Sequence, residues 1–284
     1  HNIVATVFIE CGAMFREDGS DDEKPLGETE FVNGIAAQSA SGLYGPTRVA
    51  AGIVGTAPLH IGEPVKDILE QHIQLGGGRF KGIRVGVTWD ESQEVENHRT
   101  APQPNILMGD KFREGFAQLA NYDLSFEAWC YHPQIPEVTD LAQKFPNNRI
   151  ILDHFGGPIG IGPYASRKDE VFEEWKKSID HLAKCENVSA KLGGLNMFVN
   201  GYFWQDKPTP PNSEELCEAT RHYFEYTIEK FGVERCLFES NFPVDKLSCS
   251  YVVCWNSFKR LTANYSAGEK AKLYHDNAKR IYKL

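Results

Sequence analysis

The sequence predicts an α/β fold wound as a parallel (β/α)8 TIM barrel, and three observations predict it. Seven short β-branched or apolar runs recur along the 284 residues, nearly continuously apolar, as strands covered on both faces must be. Stretches with helical apolar spacing lie between them. The strand mid-points are about 24 to 48 residues apart, all but one above the ~31 residues of an average barrel unit, as insertions allow. The rival arrangement, an open doubly wound sheet, usually carries a glycine-rich phosphate turn after its first strand. Here that position reads Glu10-Cys11-Gly12-Ala13-Met14, without such a turn.

The expected strands are 3–9, 49–54, 82–88, 124–130, 149–153, 188–192 and 236–239. A helix over 64–75 places Val65, Ile68, Leu69, His72 and Ile73 on one face; 112–121 does the same with Phe112, Phe116, Leu119 and Ala120. A helix over 137–145 runs into Pro146, which stops it. A longer helix over 213–231 opens on Asn212 with Glu215 three places on, a capping box, and ends at Gly232. Ser266 and Glu269 mark another helix start. Residues 17–24 read as a solvated acidic loop. No low-complexity linker divides the chain, so residues 1–284 are expected to form one domain. Seven strands leave the barrel one short. The chain opens on strand residues without an initiator Met, so the first strand is expected upstream of residue 1.

Composition excludes several classes. Lys plus Arg is 30 and Asp plus Glu is 39, a net charge of −9, the wrong sign for a nucleic-acid or anionic-membrane surface. No apolar run approaches the ~20 residues that span a bilayer. The 17 Phe, 11 Tyr and 5 Trp argue against disorder. The seven cysteines contain no CxxC pair and read as reduced, buried thiols of a cytoplasmic protein.

In such barrels the site lies at the C-terminal ends of the strands. The polar residues there are Glu10; Arg84, leading to Trp89 and Asp90; Glu127, leading to Tyr131 and His132; Asp153 and His154; Lys191; and Glu239, Asn241 and Asp245. Imidazoles at two strand ends with carboxylates and amides at a third form a hydrolytic constellation. Lys191 is too costly to bury unpaired, so it faces the mouth or an acidic partner, with Glu127 and Glu239 as candidates. His60, His72, His98, His181, His222 and His275 lie in helices or loops and read as surface or packing residues.

Val7-Phe8-Ile9-Glu10-Cys11-Gly12-Ala13-Met14, Gly82-Ile83-Arg84, Ile151-Leu152-Asp153-His154-Phe155-Gly156-Gly157-Pro158, Ala190-Lys191-Leu192-Gly193-Gly194-Leu195, Phe238-Glu239-Ser240-Asn241-Phe242-Pro243-Val244-Asp245 and Asn277-Ala278-Lys279-Arg280-Ile281-Tyr282 together resemble the amidohydrolase-related family of metal-dependent hydrolase-like TIM barrels, and within it the lactonase-like branch. The resemblance implies a hydrolase of a lactone-like or related carboxylated small molecule. It also implies a His-x-His pair on the first strand; none occurs in these residues, so the pair is expected upstream. His154 matches the family's Asp-His-Leu/Phe-Gly block and is the one candidate metal ligand; His132 matches more loosely. The family's last-strand Asp is replaced by Asn241, and an amide is a poor base and a poor metal ligand.

The catalytic set expected from the resemblance is therefore His154, His132, Asn241 and Asp245. Asp245 or Glu239 would replace the usual base, with Arg84 and Lys191 holding a substrate carboxylate and Trp89, Tyr131 and Glu10 lining the substrate site. The cofactor expectation is none or one divalent metal, zinc or manganese. The partner is a small molecule, with no nucleic acid and no membrane, and a homodimer is compatible. The alternatives are a metal-assisted decarboxylase or amide hydrolase on the same fold, or a catalytically inactive binding barrel.

Overall fold

The computed structural model describes residues 1–95 and 103–284. Its strands are β1 (Ala5–Ile9), β2 (Arg48–Gly55), β3 (Phe80–Gly86), β4 (Ser125–Trp129), β5 (Arg149–Leu152), β6 (Val188–Leu192) and β7 (Cys236–Phe238). Each lies within two residues of an apolar run in the sequence. They pair in chain order, every neighbour parallel, as one sheet. A doubly wound sheet reverses its strand order at a switch point. This one does not, so it is the singly wound (β/α)8 arrangement with seven of eight strands, and among the described residues no ladder joins β1 to β7.

The helices are α1 (Leu26–Ala40), α2 (Val65–Leu75), α3 (Asp110–Asn121), α4 (Ile135–Lys144), α5 (Lys168–Leu182), α6 (Ser213–Phe231), α7 (Tyr251–Leu261), α8 (Ala267–Ala271) and α9 (Asn277–Tyr282). The α6 capping box forms as expected: Asn212 Oδ1 accepts from the amides of Glu214 and Glu215, and Glu215 accepts from the Asn212 amide. Ser266 and Glu269 do the same for α8. Helix α1 has no apolar stripe to betray it. Its buried face carries Gly27, Glu28, Thr29 and Ser39 beside Leu26, Val32 and Ala36, while Phe31 and Ile35 face solvent.

Both faces of the sheet are covered. Outward-facing Ile53, Ile83, Phe126, Ile150, Val188 and Cys236 pack under the helices. Inward-facing Val54, Ile151 and Leu237 pack against Ile281 and Tyr282 of α9. Six of the seven cysteines are buried, Cys11 alone being exposed, and no disulfide forms among the described residues. No helix of the described residues is long and apolar enough to cross a membrane.

Candidate active site

Alternation along parallel strands puts Arg84, Glu127 and Lys191 on the inner face: Arg84 pairs level with Glu127, and Lys191 with inward Leu237. Asp153 and Glu239, one residue past β5 and β7, join them. The Lys191 Nζ lies 2.6 Å from Glu127, 3.0 Å from Asp153 and 3.5 Å from Glu239. These are ion-pair contacts, off the angles of regular hydrogen bonds. Arg84 donates to the Glu10 side chain at 2.7 Å and to the Glu10 carbonyl at 2.5 Å, and stands 3.7 Å from Asp153. Tyr282 OH donates to Glu127 at 2.6 Å. One chain of charge therefore runs Glu10–Arg84–Asp153–Lys191–Glu239 across the barrel end.

Burial divides the carboxylates. Glu127 is pushed up to about 8, because the loss of water and the nearby Asp153 charge outweigh Lys191. Asp153 is held well below the usual range: its burial is more than offset by Lys191, His154 and Arg84 together. Glu239 is likewise held low, His154 and Lys191 outweighing its burial. Between Glu127 and Asp153, the charge sits on Asp153.

His154 Nδ1 lies 2.5 Å from Glu239 Oε1. Like the Lys191 contacts, this one is off the angles of a regular hydrogen bond; a proton on Nδ1 relieves the repulsion between two acceptors and would leave Nε2 as the ring's working nitrogen. The Trp129 ring stands edge-on to the imidazole at 4.8 Å. The backbone around the ring is strained: His154, Phe155 and Asn241 all have positive φ (51°, 59° and 51°), a cost that non-glycine residues bear where surrounding structure over-determines them. Gly193 and Gly194 make room. A Cβ on Gly193 would meet the Glu239 carbonyl at 2.2 Å, and one on Gly194 (φ +82°) would meet His154 Nδ1 at 2.3 Å. Gly194→Ala is therefore expected to push the imidazole from Glu239 and to lose about 1–3 kcal/mol of stability. Urea unfolding checks this; a variant as stable as the parent would show that the ring has room to spare.

Asn241 and Asp245 form the next contact. Asn241 Nδ2 donates to Asp245 Oδ1 at 2.6 Å, and Asn196 Nδ2 donates to Oδ2 at 3.0 Å. Ser248 anchors Asn196 by donating to its carbonyl at 2.6 Å. Burial pushes Asp245 up to about 7, although both amides pull it down. The folded chain thus holds a proton that the unfolded chain releases near pH 4, and stability falls as pH rises from about 4 to 7, by at most ~1.4 kcal/mol per pH unit for one such group. Asp245→Asn should flatten this part of the stability–pH curve, and chemical unfolding at pH 4.5, 6 and 7.5 measures it. Parallel curves for parent and variant would refute the assignment.

The structure gathers Glu10, Arg84, Lys191, His154, Asn241 and Asp245 at one barrel end. Lys191 meets acidic partners rather than the mouth, so neither it nor Arg84, held by Glu10 and Asp153, presents a free charge for a substrate carboxylate. His132 stands apart. Its Nδ1 accepts from the Ile159 amide at 3.3 Å, its ring meets Tyr164 edge-on at 5.3 Å, and its Nε2 is buried without a hydrogen bond. Burial lowers it to about 4, so it is neutral. Tyr131 is fully buried with Trp129, Ile159 and Met197. The half-buried Trp89 is fixed by its amide, which donates to Gln134 Oε1 at 2.9 Å. His72 is a packing residue, bound to Thr29 and the Thr56 carbonyl. His98 lies outside the described residues.

Trp129, Asn196 and Tyr282 belong to the site but were not among the expected site residues; Tyr282 closes a block that carries the family resemblance, without any signal of its role. Trp129 and Asn196 have no fixed spacing to the residues they touch, and Tyr282 is 155 residues from Glu127.

Among the described residues the donor set does not fit a metal. Asp153, Glu127 and Glu239 are engaged by Lys191, Arg84, Tyr282 and His154, Asp245 has both oxygens on amides, and Asn241 is itself an amide. Among the described residues no group of three or more His, Cys, Asp or Glu is arranged to hold one.

Comparison with known proteins agrees with the fold. Residues 44–284 match the family profile described as amidohydrolase. An uncharacterized protein of Sinorhizobium fredii, y4mH, is 34% identical over 274 residues, 96% of this chain and 80% of that protein. An L-fucono-1,5-lactonase of Burkholderia ambifaria is 25% identical over 246 residues, 83% of this chain and 73% of the lactonase. The crystal structure of an amidohydrolase from Burkholderia multivorans with bound zinc has a TM-score of 0.70 at 22% identity, covering 90% of this chain and 79% of that one. A profile match over most of the length, a relative sharing a third of its positions and a singly wound barrel with its charged residues at one end lead to the same conclusion: this chain belongs to the amidohydrolase family.

Proposed function

We propose that the protein is a lactone hydrolase acting on an uncharged cyclic ester, with His154 as its general acid and base. The observation that carries this is the 2.5 Å contact between His154 Nδ1 and Glu239. It supports a proton on Nδ1, facing a carboxylate that would balance the imidazolium. His154 Nε2 takes a proton from water as the water oxygen bonds to the lactone carbonyl carbon. The ring C–O bond then breaks, and the imidazolium returns the proton to the leaving oxygen, giving an open hydroxy acid. Asn241, tethered through Nδ2 to Asp245, keeps Oδ1 to accept a hydrogen bond from the attacking water.

The substrate class follows from charge. Arg84 and Lys191 are already matched by Glu10, Asp153 and Glu239, so among the described residues neither offers a dicarboxylate a spare positive charge. The lactonase relative supports an uncharged sugar lactone. Titration of released acid decides: L-fucono-1,5-lactone and other neutral aldonolactones are expected to be opened and 2-pyrone-4,6-dicarboxylate to be left intact. Preference for the dicarboxylate, or no turnover of any lactone, overturns the reading.

A further inference from the structure

We propose that Lys191 is the resident cation of this site, its ammonium standing where a divalent metal would otherwise bind. Three carboxyl groups from three strands converge on one nitrogen: Glu127 from β4 at 2.6 Å, Asp153 after β5 at 3.0 Å and Glu239 after β7 at 3.5 Å. All-oxygen sets of this kind suit hard divalent ions. Here the positive charge arrives covalently, on a side chain from the middle of β6, and is almost fully buried.

Among the described residues, the remaining groups complete the balance. Tyr282 donates to Glu127, Arg84 faces the far oxygen of Asp153, and His154 faces Glu239. A metal ion entering this nest would either displace the ammonium into a low-dielectric interior or share the carboxylates with it, like charge against like. The geometry thus selects a built-in cation over an exchangeable one. The inference concerns the cation and not the substrate, and it stands or falls whether or not a lactone is opened.

The test is Mn²⁺ titration of the EDTA-dialysed protein, read by calorimetry, by the electron paramagnetic resonance of free Mn²⁺ and by thermal melting. Mn²⁺ is used because it prefers oxygen ligands to the buried thiols. The parent protein is expected to bind no stoichiometric Mn²⁺ and to keep its melting temperature. Lys191→Ala should melt lower, take up one Mn²⁺ per chain and recover melting temperature as it saturates. Lys191→Ala with Glu239→Gln should bind at least tenfold more weakly. Should Lys191→Ala not fold alone, recovery of its circular-dichroism spectrum on adding Mn²⁺ supports the proposal, and failure to recover overturns it. One Mn²⁺ per chain on the parent, abolished by Glu239→Gln, also overturns it, as does a folded Lys191→Ala indifferent to Mn²⁺.

Discussion

Lys191→Met is expected to destabilise the protein by about 3–5 kcal/mol, the usual consequence of removing one partner from a buried ionic group. Methionine fills nearly the same space, so the loss is not a cavity effect. What remains is a set of carboxylates with less compensation. Glu127, already pushed up to about 8, can keep its proton at little cost. Asp153 and Glu239 cannot, because their folded-state acidity depends on the ammonium. A group held low in the fold contributes stability that is present above its unfolded pKa, near pH 4, and is lost as pH falls through the folded value. The deficit of Lys191→Met should therefore be full at pH 7 and shrink as pH falls below about 4 toward the depressed folded values of Asp153 and Glu239. Urea unfolding of parent and variant across that range measures it, with Lys191→Arg as the charge-preserving control. A loss under about 1 kcal/mol at pH 7 would mean that water reaches the cluster and solvates it.

The same cluster shows how far the sequence can be read. Every strand was legible because parallel strands covered on both faces leave a nearly unbroken apolar run, as at β5 and β6. Helices α2, α3 and α6 were legible because their buried faces are apolar stripes. Helix α1 was not: it buries Glu28, whose carboxylate accepts from the amides of Cys11 and Ala13, and exposes Phe31 and Ile35. Lys191 within an apolar strand read as facing either the barrel mouth or an acidic partner, with Glu127 and Glu239 as candidates, and the structure gives it the acidic partners. The third partner, Asp153, read equally well as a turn residue. Tyr282 could not be found by any local rule, since its role depends on α9 folding back into the barrel interior. The direction of a strand-end residue was also hidden: His132 and His154 look alike in sequence, yet one turns toward Ile159 and Tyr164 and the other toward Glu239.

Removing the imidazole should have the largest effect on turnover. His154→Ala is expected to lower lactone opening by about 10²–10⁴-fold, the usual contribution of a positioned general acid–base group, while leaving the barrel folded. Glu239→Gln should lower it by a smaller factor: glutamine can still meet Nδ1 but brings no negative charge to balance an imidazolium. The decisive comparison is the double variant. If Glu239 acts through His154, His154→Ala with Glu239→Gln should be no slower than His154→Ala alone, since residues working as one unit are not additive. Multiplied losses would instead make Glu239 an independent base that draws the proton from water itself. Glu239→Gln also disturbs Lys191, so each variant's urea midpoint must accompany its rate. A fall in turnover without a matching fall in stability is the signature of the His154–Glu239 unit, and an unimpaired His154→Ala would remove the imidazole from the mechanism altogether.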